Sequence, residues 1–184
     1  MSTDTFYAEL AVHYHLLFHD WDATVRTQGR VLDRLIAGAL GAGPRRVLDA
    51  ACGIGTQALG LALHGHAVVG SDLSEAALAR AVREAARLSV DLPTRVADLR
   101  ALSRAFDARF EVIVVLDNGL AHLLEPGGLE AAAREMAVVL EPGGFLVASI
   151  RNYDRLVEER PRVASSRVVD GPEGRRVVFQ VWDW

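Results

Sequence analysis

The sequence predicts an α/β domain: an open parallel sheet, wound in both directions, with helices on each face. Three observations carry this. From residue 46 to residue 150, short runs rich in β-branched residues alternate with longer segments of helical period. Val112-Ile113-Val114-Val115 is apolar at every position, as a strand buried on both sides must be. A glycine-bearing turn, Cys52-Gly53-Ile54-Gly55, joins the first such strand to the first helix after it.

The elements follow in order. Residues 5–19 form a first helix carrying aromatic and His side chains. Residues 22–40 form a second, with Val25, Leu32, Leu35, Ile36 and Ala39 at helical spacing and a stop at Gly41-Ala42-Gly43-Pro44. Residues 46–50 are the first strand and 56–63 its crossover helix; 67–72 are the second strand. Ser74 caps the helix 75–88, and Glu75 suits its first turn because a helix N-terminus carries partial positive charge. Residues 93–98 and 110–116 are the third and fourth strands. Pro126 opens a helix that places Leu129, Ala133, Met136 and Leu140 on one face, and Pro142-Gly143-Gly144 turns the chain into a fifth strand at 145–150. Residues 152–159 make a short helix. Arg167-Val168-Val169 and residues 176–182 then flank Asp170-Gly171-Pro172-Glu173-Gly174 as a β-hairpin that ends in exposed aromatic sequence. Strand–helix–strand connections of this kind are right-handed, and ligands bind at the carboxyl ends of the strands near the switch in strand order.

Bulk properties limit the function. The chain has 184 residues, 51% of them hydrophobic and 24% charged, which is a soluble globular balance for one domain. The net charge of -4 argues against a nucleic acid partner, since phosphate binding needs a basic surface. The single cysteine excludes an internal disulfide and fits a cytoplasmic protein. Met1–Phe6 lacks the basic and apolar regions of a signal peptide, and no apolar stretch reaches the roughly 18 residues that span a bilayer, so a membrane is not an expected partner.

The chemistry concentrates at strand ends. Gly53 and Gly55 let backbone approach a ligand and turn sharply into a helix. Such a turn alone fits a dinucleotide as well. Asp49, however, stands just before the glycines, Asp72 ends the second strand and Asp98 ends the third. An acid at Asp72 can accept both ribose hydroxyls, Asp98 can accept from an adenine amino group, and Asp49 can act on a charged amino end. An adenosine joined to an amino acid suits this set better than a pyrophosphate does. The competing structural reading makes the glycines turn residues and Asp72 a helix cap.

At these residues the sequence resembles the class I S-adenosylmethionine-dependent methyltransferases, which have a Rossmann-like doubly wound sheet. The segments that carry the likeness are 47–55, 69–72, Ala97-Asp98-Leu99, 116–122 and 140–150. A narrower likeness, to the glycine and sarcosine N-methyltransferases, rests on Asp117–Leu123, on Ile150-Arg151-Asn152-Tyr153-Asp154 and on Tyr7, Arg26 and Thr27. The resemblance implies a division into an N-terminal helical lid (1–43), a cofactor-binding core (44–151) and an acceptor-side helix and hairpin (152–184). It implies S-adenosylmethionine as cofactor, with S-adenosylhomocysteine as product. The cofactor would be held by Arg26, Asp49, Ala50, Ala51, Gly53, Gly55, Asp72, Leu73, Asp98, Leu99 and Leu116. It implies Asn118, His122 and Tyr7 near the reacting groups, and Arg151, Asn118 and Tyr153 around a small acceptor amino acid. The sequence departs from the group at Asp117, where Gly is frequent, and at Leu99, where an aromatic residue often stacks on adenine. It also stops before the last two strands that family members add at the antiparallel sheet edge, so a homo-oligomer pairing along that edge is a further expectation. The alternatives are an O- or C-methyltransferase of secondary metabolites and a cofactor-binding module without turnover. Other candidates read as structural. No Cys or carboxylate completes a metal set with His13, His15 and His19, so no metal is expected. Cys52 reads as a packing residue, and Trp182 and Trp184 as core or interface.

Overall fold

The computed structural model describes residue 11 and residues 13–171 and 174–184. Most of the expected first helix, including Tyr7, lies outside the described residues. Its described part is a single 3₁₀ turn, Tyr14–Leu17. Asp20 caps α1 (Trp21–Leu40) by accepting from the Ala23 N–H. The buried stripe of α1 is Trp21, Val25, Gly29, Leu32 and Ile36. Leu35 and Ala39, expected on that face, are exposed: Leu35 lies to one side of the stripe and Ala39 in the last turn.

The N-terminal helix is part of the core. It crosses α2 (Thr56–Leu63) at two glycines, where a Cβ on Gly29 would stand 2.4 Å from the Gly60 carbonyl oxygen. The two backbones therefore touch. Beside the crossing, Trp21 Nε1 donates to Thr56 Oγ1 at 3.0 Å within the buried interior.

Among the described residues, five strands pair in the order β3-β2-β1-β4-β5: β1 (Arg46–Asp49), β2 (Ala67–Asp72), β3 (Thr94–Val96), β4 (Phe110–Val115) and β5 (Leu140–Ala148). All four pairings are parallel. The order reverses between β1 and β4, which is the switch point. Alternation along each strand divides the core in two. Val47, Val112 and Val114 pack with α1, α2 and α3 (Glu75–Leu88) on one face of the sheet. Leu48, Ile113 and Val115 pack on the other with Ala132, Met136 and Val139. The uninterrupted apolar run of β4 serves both faces, as expected of a strand buried on two sides.

Four segments differ from the sequence reading. The third strand ends at Val96, and Asp98 instead caps a 3₁₀ turn, Leu99–Ala101, that leads into α4 (Leu102–Ala105). The next helix, α5 (Gly128–Val139), buries Gly128, Ala132, Met136 and Val139, while Leu129 and Ala133 are exposed and Leu140 belongs to β5. The small side chains of Gly128 and Ala132 allow close packing, a signal that apolar periodicity does not carry. Pro142-Gly143-Gly144 is not a turn before the fifth strand but lies inside it, at a register shift against β4 between Phe110 and Val112. The hairpin is longer than expected, with β6 (Val163–Gly171) antiparallel to β7 (Gly174–Val181). Before it, Asn152 caps α6 (Tyr153–Glu159) by accepting from the Arg155 N–H. No described helix is long and apolar enough to cross a membrane.

Candidate active site

The carboxyl ends of β1, β2 and β4, with the segment after β3, surround a cavity of about 400 Å³. Its floor is the loop from Ala50 to Gly55. Main-chain bonds anchor that loop to both neighbouring strands: Ala50 N–H donates to the Val114 carbonyl and Cys52 N–H to the Ser71 carbonyl, each at 2.9 Å. Gly55 adopts a φ of 89° where a Cβ would press on Leu59 and Ala81 at 3.2 Å. The loop can therefore turn tightly into α2 only with glycine there. The buried thiol of Cys52 is pushed up in pKa by burial and packs where a Cβ on Gly70 would approach to 2.9 Å, a structural role.

Three acids at the strand ends have different surroundings. Asp72 lines the cavity, with Oδ2 accepting from Gly53 N–H and Oδ1 from Ser74 N–H, both at 2.9 Å. A carboxylate has about four lone-pair positions, so acceptor capacity remains toward the cavity. Asp49 lies beneath the loop, 1% exposed, and neither of its oxygens has a hydrogen-bond partner. Burial, then the charges of Asp72 and Asp117, push its pKa up to about 8, against a smaller lowering pull from the Ala58 and Ala51 backbone N–H groups. Asp98 lines the cavity but is already paired. Arg100 donates to it through its backbone N–H, Nε and Nη2, at 2.6–3.1 Å, and this partner holds the Asp98 carboxyl below its ordinary pKa.

The far wall is the segment after β4. Asp117 and Asn118 both have left-handed backbone, with φ of 50° and 73°. Two consecutive non-glycine residues in that region are strained, and such strain gathers at functional sites. The turn is held in place from three sides. Buried Gln57 donates through Nε2 to Asp117 Oδ2 and to Gln28 Oε1 on α1, both at 2.6 Å. Gly119 fits against Ala51, where a Cβ would stand 2.7 Å from the alanine methyl. Asn118 Oδ1 accepts from the Arg151 backbone N–H at 2.7 Å, tying the ends of β4 and β5 together.

Of the residues singled out in the sequence, Ala50, Ala51, Gly53, Asp72, Leu73, Asp98, Leu99, Leu116 and His122 line the cavity. Asp49, buried at the end of β1, and Gly55, at the end of the floor loop, are not among the lining residues. Arg26 is exposed on α1, outside the lining. Asn118, Arg151 and Tyr153 also lie outside it, and the Arg151 guanidinium sits over the Trp182 ring, 5.4 Å from its centre. Trp182 in turn stacks on Trp184 with centroids 5.6 Å apart. The sequence reading missed Tyr14, Thr56, Gln57, Ser74, Arg100 and Glu125 in the lining. Gln57 carried a usable signal, as a polar residue inside the otherwise apolar helix 56–63. Glu125 carried none.

The fit to an adenosyl sulfonium amino acid follows from charge. Asp72, Asp98, Asp117 and Glu125 line the cavity against one arginine, and an unpartnered carboxyl lies under its floor. Such surroundings suit a cation, and this cofactor carries a sulfonium and an ammonium. An anionic pyrophosphate would meet acids where it needs N–H donors and positive charge. Among the described residues, no group of three or more His, Cys, Asp or Glu gathers as a metal site.

Comparison with known proteins agrees with the geometry. A methyltransferase-domain family matches residues 47–144. The chain is 37% identical over 139 residues to the glycine/sarcosine N-methyltransferase of Parasynechococcus marenigrum (strain WH8102), covering 76% of this chain and 48% of that protein. It is 33% identical over 108 residues to a ubiquinone biosynthesis O-methyltransferase of Alkalilimnicola ehrlichii, covering 59% and 42%. The solved PH0226 protein of Pyrococcus horikoshii OT3 superposes with a TM-score of 0.62 at 27% identity, over 85% of this chain and 75% of that one. The chain belongs to the class I S-adenosylmethionine-dependent methyltransferases, and its cofactor is S-adenosylmethionine. Within that class it resembles the glycine/sarcosine N-methyltransferases, and it spans about half the length of those curated relatives.

Proposed function

We propose that this protein transfers the methyl group of S-adenosylmethionine to the amine of a small amino-carboxylate of the glycine or sarcosine kind. The observation that carries this reading is the likeness to glycine/sarcosine N-methyltransferases over three quarters of the chain. Asp117–Leu123, whose Asp117 lines the cavity, is one of the segments in which the sequence resembles that group.

The bound cofactor supplies a methyl group on an excellent leaving group. The protein's task is then mainly to orient, because a displacement at carbon needs the attacking nitrogen in line with the breaking bond. Asp72 would take the ribose hydroxyls with the lone pairs left after Gly53 and Ser74. Ala50, Ala51 and Gly53 would follow the amino-acid portion with their backbone, and Leu73, Leu99 and Leu116 would flank the adenine. Asp98 would reach the adenine amino group only by sharing its carboxylate with Arg100. Asn118 would accept an N–H bond from the acceptor and aim its lone pair, in exchange for the Arg151 N–H it now holds. His122 lines the cavity and would take the proton that an ammonium acceptor must lose. Arg151 would leave the Trp182 ring to grip the acceptor carboxylate bidentately, with Tyr153 beside it. Tyr7 and Arg26 would complete the site from the N-terminal side.

Incubation with methyl-labelled cofactor and a panel of glycine, sarcosine, dimethylglycine and catechols tests the reading. Label in sarcosine or dimethylglycine, lost in Asn118→Ala, is the expected result. Label in a catechol and none in the amino acids would move the protein to the O-methyltransferases, which the ubiquinone-pathway relatives also represent.

A further inference from the structure

We propose that Asp49 is a charge sensor beneath the glycine loop: it keeps its proton in the free protein and releases it when the sulfonium donor binds, so the site prefers the cationic donor to the neutral thioether product. The inference rests on the cavity being the S-adenosylmethionine site.

The observation behind it is an orphaned group. Asp49 ends β1 directly under the Ala50–Gly55 floor, is 1% exposed, and has no hydrogen-bond partner for either oxygen. A buried polar group without partners is costly, and one in a native core calls for a reason. A carboxylate left charged there is strongly disfavoured by desolvation, which protonation relieves.

The neighbours strengthen the effect. From the end of β2 Asp72 faces Asp49, from the segment after β4 Asp117 does, and within the floor loop the thiol of Cys52 does. The Ala58 N–H of α2 and the Ala51 N–H of the floor loop pull the other way, and its register partners on the adjoining strands are Gly70 and Val114, which carry no charge. Asp72 has two N–H donors and Asp117 has the Gln57 amide, whereas Asp49 has none. The carboxyl therefore holds a proton near neutral pH, with its pKa at about 8.

A cation entering above the floor changes this balance. It attracts a carboxylate at Asp49 across a buried, weakly screened path. The exchange is protein–COOH plus donor cation giving protein–COO⁻ with the bound cation, plus H⁺ to solvent. S-adenosylmethionine carries one more positive charge than S-adenosylhomocysteine. Loss of that charge on methyl transfer leaves the Asp49 carboxylate uncompensated, so it takes a proton back and the product is released more readily.

Titration calorimetry of the whole chain at pH 7, in buffers of different ionisation enthalpy, counts the protons directly. S-adenosylmethionine and the unreactive cation sinefungin should each release about 0.9 proton, the fraction bound by a group of pKa 8 one unit below it, and S-adenosylhomocysteine markedly fewer. The Kd for the cations should tighten roughly tenfold per pH unit toward pH 8 and level off above it, as release of one proton requires. Asp49→Asn should abolish the release and flatten the profile. If that variant does not fold, the wild-type comparison of cation and thioether still decides, and Asp117→Asn should move the levelling point to lower pH and reduce the release at pH 7 accordingly. Equal proton counts for the cations and the thioether, or a release unchanged in Asp49→Asn, would overturn the proposal. Failure of wild-type protein to bind either ligand would instead overturn the cofactor site on which it rests.

Discussion

Gly29→Ala is the substitution whose cost follows most directly from the structure. In a helix interior, alanine is about 1 kcal/mol better than glycine when its methyl has room. Gly38, in the same helix, has that room: nothing lies within 4 Å of an added Cβ. At Gly29 the added Cβ would stand 2.4, 2.5 and 2.6 Å from the oxygen, carbonyl carbon and Cα of Gly60. All three are backbone atoms of α2, so no side-chain rotation relieves the clash. The helices must separate by about 1 Å to restore ordinary carbon contacts near 3.5 Å. That separation loosens Val25, Leu32 and the Trp21–Thr56 bond together. Overpacking of this kind costs about 1–3 kcal/mol. For a chain of this size Gly29→Ala should lower Tm by about 3–10 °C and Gly38→Ala should raise it by about 2–4 °C. Thermal and urea unfolding followed by circular dichroism measure both. A Gly29→Ala protein as stable as Gly38→Ala would show that the glycine crossing does not set the helix spacing.

Three further outcomes follow from other contacts. Trp21→Phe removes the buried Nε1–H donor to Thr56 and should cost about 1–2 kcal/mol in urea unfolding, while Trp184→Phe, whose Nε1 bonds an exposed carbonyl, should cost less. Glu84 is pulled upward in pKa by burial, but its bonds to Arg87 and Arg80 outweigh this and hold it below the ordinary value. Its stabilising contribution is therefore present above the unfolded-state pKa and lost as pH falls; the advantage of wild type over Glu84→Gln should be full at pH 7 and shrink below about pH 4.5. Asp49 has the opposite sign. Its raised folded pKa makes the free protein lose stability as pH rises from about 4 to about 8, so Asp49→Asn should gain on wild type across that range and level off above it.

Much of the fold was legible because its signals are local and periodic. The apolar run Val112–Val115 of β4, the glycines after β1 and the acid closing β2 each follow from backbone geometry that neighbouring residues impose. What stayed hidden depended on partners distant in sequence or on small residues. Asp98 looked free to meet adenine because nothing in a strand-end acid announces that Arg100, two residues on, will fold back onto it. Gln57 and Asp117 lie 60 positions apart, and only the closing of the sheet brings them together. Pro142-Gly143-Gly144 fits the local rule for a turn, yet β4 extends its pairing past it through a register shift. Arg151 was expected to grip an acceptor carboxylate; its backbone N–H bonds Asn118 and its side chain lies on an aromatic face of the hairpin, a contact that spacing does not encode.

The central claim is that the cavity over the Ala50–Gly55 floor is the S-adenosylmethionine site. A crystal structure of the protein grown with saturating S-adenosylmethionine tests it most directly. The ribose hydroxyls should lie on the Asp72 carboxylate, with the amino-acid portion over the glycine loop and the sulfonium methyl directed toward Asn118. Density for the cofactor elsewhere, or an empty cavity at saturation, would contradict it.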